Sequence, residues 1–113
     1  CNGLSVNSTI ETCNSCNCYS DGWMSRHVQN SPDTPMLFTE NEGWFQAWGD
    51  AVAIRTSTDL ALSVAQWFAA GGAYHAYYMW HGGNNYGRTA GSGITTMYAD
   101  DVCLHADGTP NEP

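Results

Sequence analysis

The segment RTSTDLALSVAQWFAAGG, residues 55 to 72, constrains the fold more than any other. Thr56 and Asp59 form a T-x-x-D capping pattern, with Asp in place of the usual Glu. Leu60, Val64, Trp67 and Phe68 then recur at i, i+4, i+7 and i+8, one face of a helix. Gly71-Gly72 supplies a left-handed C-terminal stop. Apolar runs flank this helix on both sides. Met36–Thr39, bounded by Pro35, predicts a short buried strand. Ala73–Trp80 is almost continuously apolar and aromatic, as suits a strand covered on both faces of a parallel sheet. Two strands joined by a helix of about 15 residues make a βαβ unit, whose crossover is right-handed. The expected fold class is therefore α/β with parallel strands. In such folds ligands meet the chain just past the carboxyl ends of the strands. Thr39–Glu42 and His81–Arg88 are expected at those places.

The rest of the chain is less regular. Residues 1 to 34, rich in Asn, Ser, Thr, Cys and Gly, read as loop with one short strand around Thr9–Thr12. The tail, YADDVCLHADGTPNEP, is polar and shows no period. A length of 113 residues suits one small domain. Eleven acidic residues face three arginines and no lysine, a net charge of −8. Phosphate backbones and anionic membranes would repel such a surface, which argues against nucleic-acid and membrane partners. Charged residues are only 12 % of the total, so the chain is no disordered acidic tail. Five tryptophans and six tyrosines point to stacking surfaces, which together with carboxylates and amides suit neutral, hydroxyl-rich ligands such as sugars. No apolar run is long enough to span a bilayer and no signal peptide opens the chain. A start at Cys1 without methionine reads as a processed product or a fragment.

Hydrolysis of a glycosidic bond needs two carboxyl groups. Glu40 stands where a barrel strand would deliver one into the mouth, and Trp44 could desolvate it or stack on a sugar ring. The plainer reading makes Glu40 a capping or surface acid and Glu42 a loop acid at the rim. Two acids so close along one chain rarely flank a substrate from opposite sides. Cys13-x-x-Cys16-x-Cys18 with Cys103-x-His105 superficially fits a zinc site, but the second half is not a paired knuckle. Five cysteines and the sequon Asn7-Ser8-Thr9 favour disulfides in a secreted or luminal compartment. The odd count leaves at least one cysteine free or paired outside the chain. His81-Gly82-Gly83-Asn84-Asn85 lacks phosphate-loop spacing; its glycines let the backbone turn beneath a ligand. His75 and His81 read as buried, hydrogen-bonded histidines, and Tyr74, Tyr77 and Tyr78 as core. No cofactor is implied.

Four stretches in order, TENEGWFQAWG, RTSTDLALSVAQWFAAGG, YYMWHGGNNYGR and ITTMYADD, resemble the later catalytic barrel of the β-galactosidases of glycoside hydrolase family 35. Upstream, TIETCNSCNC is similar to the cysteine-bearing strand that precedes the nucleophile strand in that family's plant members. The resemblance covers nearly the whole chain. It implies a (β/α)8 barrel that cleaves terminal, non-reducing β-D-galactosyl residues with retention. The chain would supply about strands six to eight of it: IETCN, PMLFTEN and HAYYMWHGG, with Cys1 ending the fifth. By resemblance Glu40 is the nucleophile, while Tyr78 and Tyr98 line the galactose pocket. The family's acid/base glutamate lies on the fourth strand, in a motif like ENEYG; the ENEG of Glu40–Gly43 is a look-alike in the nucleophile context. Two departures stand out. Glu42 fills a slot that is usually aromatic, and YADDVC replaces YDYDAP, with Asp100 for a tyrosine and Cys103 for the proline.

The expectation is then a partial (β/α)8 barrel, with about three parallel strands and one clear crossover helix. Residues 1 to 113 would be a C-terminal portion of a secreted, cell-wall, vacuolar or lysosome-like enzyme's catalytic domain, incomplete because such barrels take about 250 residues. The piece alone would be inactive, its partners being a β-galactoside and the remainder of its own barrel. The rival is a non-catalytic galactoside-binding or structural module derived from such a hydrolase, and a third option is a small zinc protein. Unpaired sheet edges predict that the piece alone aggregates or stays partly molten.

Overall fold

The computed structural model describes residues 6–20, 22–43, 55–87, 98 and 102–111. Trp44, Phe45, Trp48, Cys1, Arg88 and Asp100 lie outside the described residues. The elements in order are β1 (Thr12–Ser15), α1 (Trp23–Asn30), β2 (Leu37–Glu42), α2 (Ser57–Ala69) and β3 (Tyr74–Tyr78). The chain divides into two compact units, Cys1–Glu42 with Leu60–Tyr78, and Gly43–Asp59 with Met79–Pro113.

The first unit holds one sheet of three strands in the order β1-β2-β3, all parallel. This bears out the α/β class and the parallel pairing. Helix α2 runs as the spacing predicts. Thr56 Oγ1 accepts the Asp59 backbone N–H at 3.1 Å. Asp59 does not return the bond; its carboxylate takes the Arg55 Nε–H at 2.7 Å instead. The far end closes as a Schellman motif: Gly71 N–H reaches Phe68 O at 3.1 Å and Gly72 N–H reaches Trp67 O at 3.0 Å. Gly71 holds φ at 100°, where a side chain would be strained. At Gly72 the reason for glycine is space, since a Cβ there would strike the Trp67 indole.

Trp67 is the knot of the core. It is fully buried with Phe38, Cys13, Cys18 and Trp23 around it. Its ring lies 5.2 Å from Phe38 and 5.9 Å from Trp23, and its indole N–H donates to Tyr74 O at 2.9 Å. Trp23 belongs to α1 and Trp67 to α2, so both helices press on the same face of the sheet. A fully buried tryptophan contributes about 3–5 kcal/mol by the cost of its removal.

Several expectations are corrected. Residues 23 to 30 are a helix, not loop, so the segment carries two crossover helices rather than one. Its N-cap is Gly22 at φ 82°, with no side-chain cap bond. The first strand lies at Thr12–Ser15, just beyond the predicted Thr9–Thr12. Phe68 is 48 % exposed and not on the packed face; Ser63 is there instead. Tyr74 and Tyr77 are also about half exposed rather than core, and Tyr78 is half-buried. Tyr77 lies on the helix face beside His75, their ring centroids 4.5 Å apart, whereas Tyr74 and Tyr78 alternate onto the other face of the sheet. Cys13 and Cys18 form a disulfide, which removes two of the thiolates a zinc site would need. It closes the turn after β1 against the core. Cys103 is exposed.

The second unit is built from turns. His81 pairs with Leu104 in a parallel bridge, and Leu104 pairs with Pro110 antiparallel. The tail thus has order that its composition hides. Asp107 accepts the Thr109 hydroxyl at 2.7 Å and the Thr109 N–H at 3.0 Å. These bonds hold its carboxyl below the usual carboxylate range. His81 is exposed, not buried, with Nε2 3.3 Å from Ala106 O.

Candidate active site

The site begins with a miscount in β2. Against β1, Cys13 pairs with Phe38 but Asn14 pairs with Glu40. Against β3, Phe38 pairs with His75 but Asn41 pairs with Tyr77. Between Phe38 and Asn41, β2 therefore spends two residues, Thr39 and Glu40, where each neighbour spends one. This is a β-bulge seen from both sides.

The bulge decides which way the acids face. Phe38 is buried against Trp67. Asn41, three residues on, is also buried and reaches the same helix, its Nδ2 lying 3.4 Å from Ser63 Oγ. Strict alternation would put residues three apart on opposite faces. The extra residue restores them to one face. Glu40 and Glu42, each one step from Asn41, then point to the face away from the helices. Asn14 lies opposite Glu40 on β1, and Tyr78 lies opposite Glu42 on β3. Adjacent strands are about 4.8 Å apart, so these four side chains form one polar patch.

The strand also runs farther than its apolar run suggests. Glu40 and Glu42 are inside β2, in its carboxyl-terminal half, not in a loop after it. Burial raises the Glu42 pKa above its ordinary value of 4.5, and the neighbouring Glu40 charge adds to this. On the helix face His75 shifts the other way: burial lowers its pKa from 6.5. A neutral ring presents the lone pair of Nε2 to the Asn41 amide N–H at 3.0 Å. The expectation of a hydrogen-bonded histidine thus holds for His75, which is half-buried.

Of the three candidate residues, Glu40 and Tyr78 share the sheet's far face. Tyr98 belongs to the second unit, where its backbone N–H donates to Gly83 O at 3.0 Å in the glycine-rich loop. Asn14, Thr39, Ser63 and the Asn41–His75 pair were not singled out from the sequence. A serine within an apolar helix face and a threonine ahead of the acid are the signals that mark two of them. Among the described residues no group of three His, Cys, Asp or Glu is placed to hold a metal ion. Nor is any helix there long and apolar enough to cross a membrane.

The profile described as Glycosyl hydrolases family 35 matches residues 2–113. The chain belongs to glycoside hydrolase family 35. It is 43 % identical over its whole length to "Probable beta-galactosidase 2" of Dictyostelium discoideum, covering 15 % of that protein. It is 42 % identical to "Beta-galactosidase 10" of Arabidopsis thaliana, over 92 % of this chain and 14 % of that one. "Beta-galactosidase 3" of Oryza sativa subsp. japonica is also 42 % identical, with 92 % of this chain and 12 % of the rice protein aligned. The chain thus spans less than one sixth of the length of these curated relatives.

Proposed function

We propose that this chain is the later part of the catalytic (β/α)8 barrel of a retaining β-galactosidase, and that Glu40 is its nucleophile. The observation that carries this reading is the direction of Glu40. It projects from the carboxyl-terminal half of a parallel strand, on the face away from the helices, which in a closed barrel is the interior. Three parallel strands with both helices on one face are what a barrel wall requires.

In the proposed reaction a Glu40 oxygen attacks the anomeric carbon of a terminal β-D-galactosyl residue. The bond to the aglycone oxygen breaks, and that oxygen takes a proton from the acid/base carboxyl. Water, deprotonated by the same group, then releases galactose and frees Glu40. Retention asks for two carboxyls about 5–5.5 Å apart that flank the bond. Glu42 does not serve as the second: it lies on the same strand face as Glu40 and approaches from the same side. The acid/base glutamate belongs to a part of the barrel outside this chain, and the segment alone is inactive. Tyr78, on the strand next to Glu40, is a sugar-binding residue, and the family motif TTMY gives Tyr98 the same role. The remainder of the barrel pairs the outer edges of β1 and β3 and covers the half-exposed Tyr74 and Tyr77.

The Cys13–Cys18 disulfide and the sequon support a secreted or luminal enzyme. Asn7 sits on an exposed turn closed by Thr9 N–H to Val6 O at 3.2 Å.

A 2-fluoro-galactosyl reagent on the full-length protein tests the reading. The label is expected on Glu40, and Glu40→Gln lowers kcat at least on the order of 10⁴-fold. A label on any other residue overturns the assignment. A non-catalytic galactoside-binding module is the second reading, favoured by Glu42 in the usually aromatic slot. Galactose binding without turnover in a full-length protein lacking the fourth-strand glutamate would establish it.

A further inference from the structure

We propose that Thr39 is the positioning residue for Glu40: its hydroxyl ties the β2 bulge to β1, and the bulge turns Glu40 to the far face. The inference rests on Glu40 as the nucleophile. A bulge breaks the ladder locally and leaves one residue without a cross-strand partner. At this place the Thr39 hydroxyl lies 2.6 Å from Asn14 Oδ1 and 3.2 Å from Cys13 O. One hydroxyl hydrogen thus serves two acceptors on β1, one on the backbone beside the miscount and one on the residue opposite Glu40. On the other side of the bulge, Asn41 is held by Ser63 and His75. The two anchors bracket Glu40 in sequence and pull toward opposite faces of the sheet. Slipping the bulge by one residue would have to break one of them.

The alternative state is well defined. Without the extra residue, Glu40 would follow Phe38 onto the helix face, two positions on, and meet α2. A parallel strand with regular alternation therefore delivers the acid to the wrong side. Thr39 suits the task because a β-branched hydroxyl has few χ1 choices in a strand, so the donor is already aimed. It touches no substrate in this role; it acts through Glu40.

The test uses the full-length protein. Thr39→Val keeps the branched shape and removes the hydroxyl, whereas Thr39→Ser keeps the hydroxyl. The valine variant is expected to lose about 10²-fold in kcat, the cost of misplacing a reacting group by about 1 Å. KM stays unchanged, and the 2-fluoro-galactosyl reagent labels Glu40 more slowly by a similar factor. Serine restores both rates. A valine variant that is labelled at the wild-type rate overturns the proposal and leaves Glu40 as nucleophile. Equal loss in the valine and serine variants also overturns it, because packing would then be responsible. A wild-type label away from Glu40 instead removes the nucleophile reading beneath it. Should Thr39→Val fail to fold, Asn14→Ala removes the nearer acceptor and leaves Thr39 in place. Slow labelling of Glu40 is again expected, and wild-type labelling overturns the proposal.

Discussion

The two faces of β2 differ in what completes them. Around Phe38 and Asn41 the helix face is packed by this chain's own side chains. Phe38 meets Trp67, Asn41 meets Ser63 and His75, and the Trp67 N–H finds Tyr74 O. The far face gathers Asn14, Glu40, Glu42 and Tyr78, of which the two acids repel each other and one is pushed toward its protonated form. A face built for stability satisfies its polar groups. Under the function proposed above, the far face keeps like charges close for its chemistry and tolerates the cost. The same strand carries both, and a single extra residue separates them.

Three substitutions test this contrast. Trp67→Ala should do the most damage, about 3–5 kcal/mol of stability, since it empties the centre of the helix face. Chemical denaturation of the full-length protein measures it; a loss below about 1 kcal/mol would mean that the helix face is not held by Trp67. Next comes Asn41→Leu, which leaves the Ser63 hydroxyl and His75 Nε2 without their amide donor. The expected cost is about 1–3 kcal/mol. Stability equal to or above wild type would show this polar pair to be dispensable. The smallest effect, and of opposite sign, belongs to Glu42→Gln on the far face.

The sign for Glu42 follows from proton linkage. Its folded pKa is raised, so the native state holds the proton more tightly than the unfolded chain does. Its contribution is fully present below 4.5 and is lost as pH rises through the folded value. Glutamine cannot ionise, so Glu42→Gln should melt higher than wild type at neutral pH, with the gain vanishing in acid. A gain independent of pH would point to packing instead. His75 behaves inversely: its folded pKa is lowered, and its contribution is lost as pH falls below 6.5. The two faces therefore favour opposite ends of the pH scale.

Much of the helix face was legible in the sequence and little of the other. Helix α2 announces itself through Thr56, its apolar spacing and Gly71-Gly72. Helix α1 does not. It starts from Gly22 with no side-chain cap, and its buried contacts reduce to Trp23 and His27. Glu40 was legible as a strand-end acid and through its family motif. Its direction was not, because a bulge is a relation between strands and a single chain records no register. Thr39 and Asn14 share that obscurity: they are 25 residues apart and meet only once β1 and β2 have paired.

The order β1-β2-β3 has a consequence for synthesis. Each strand pairs with the one made just before it, across a single helical crossover. A ribosome releases the chain from its amino end. β2 therefore finds β1 already waiting, and β3 finds β2, with no partner that must be held in reserve. Along this stretch the order of translation is also an order of assembly, and the entropy of closing each loop stays modest.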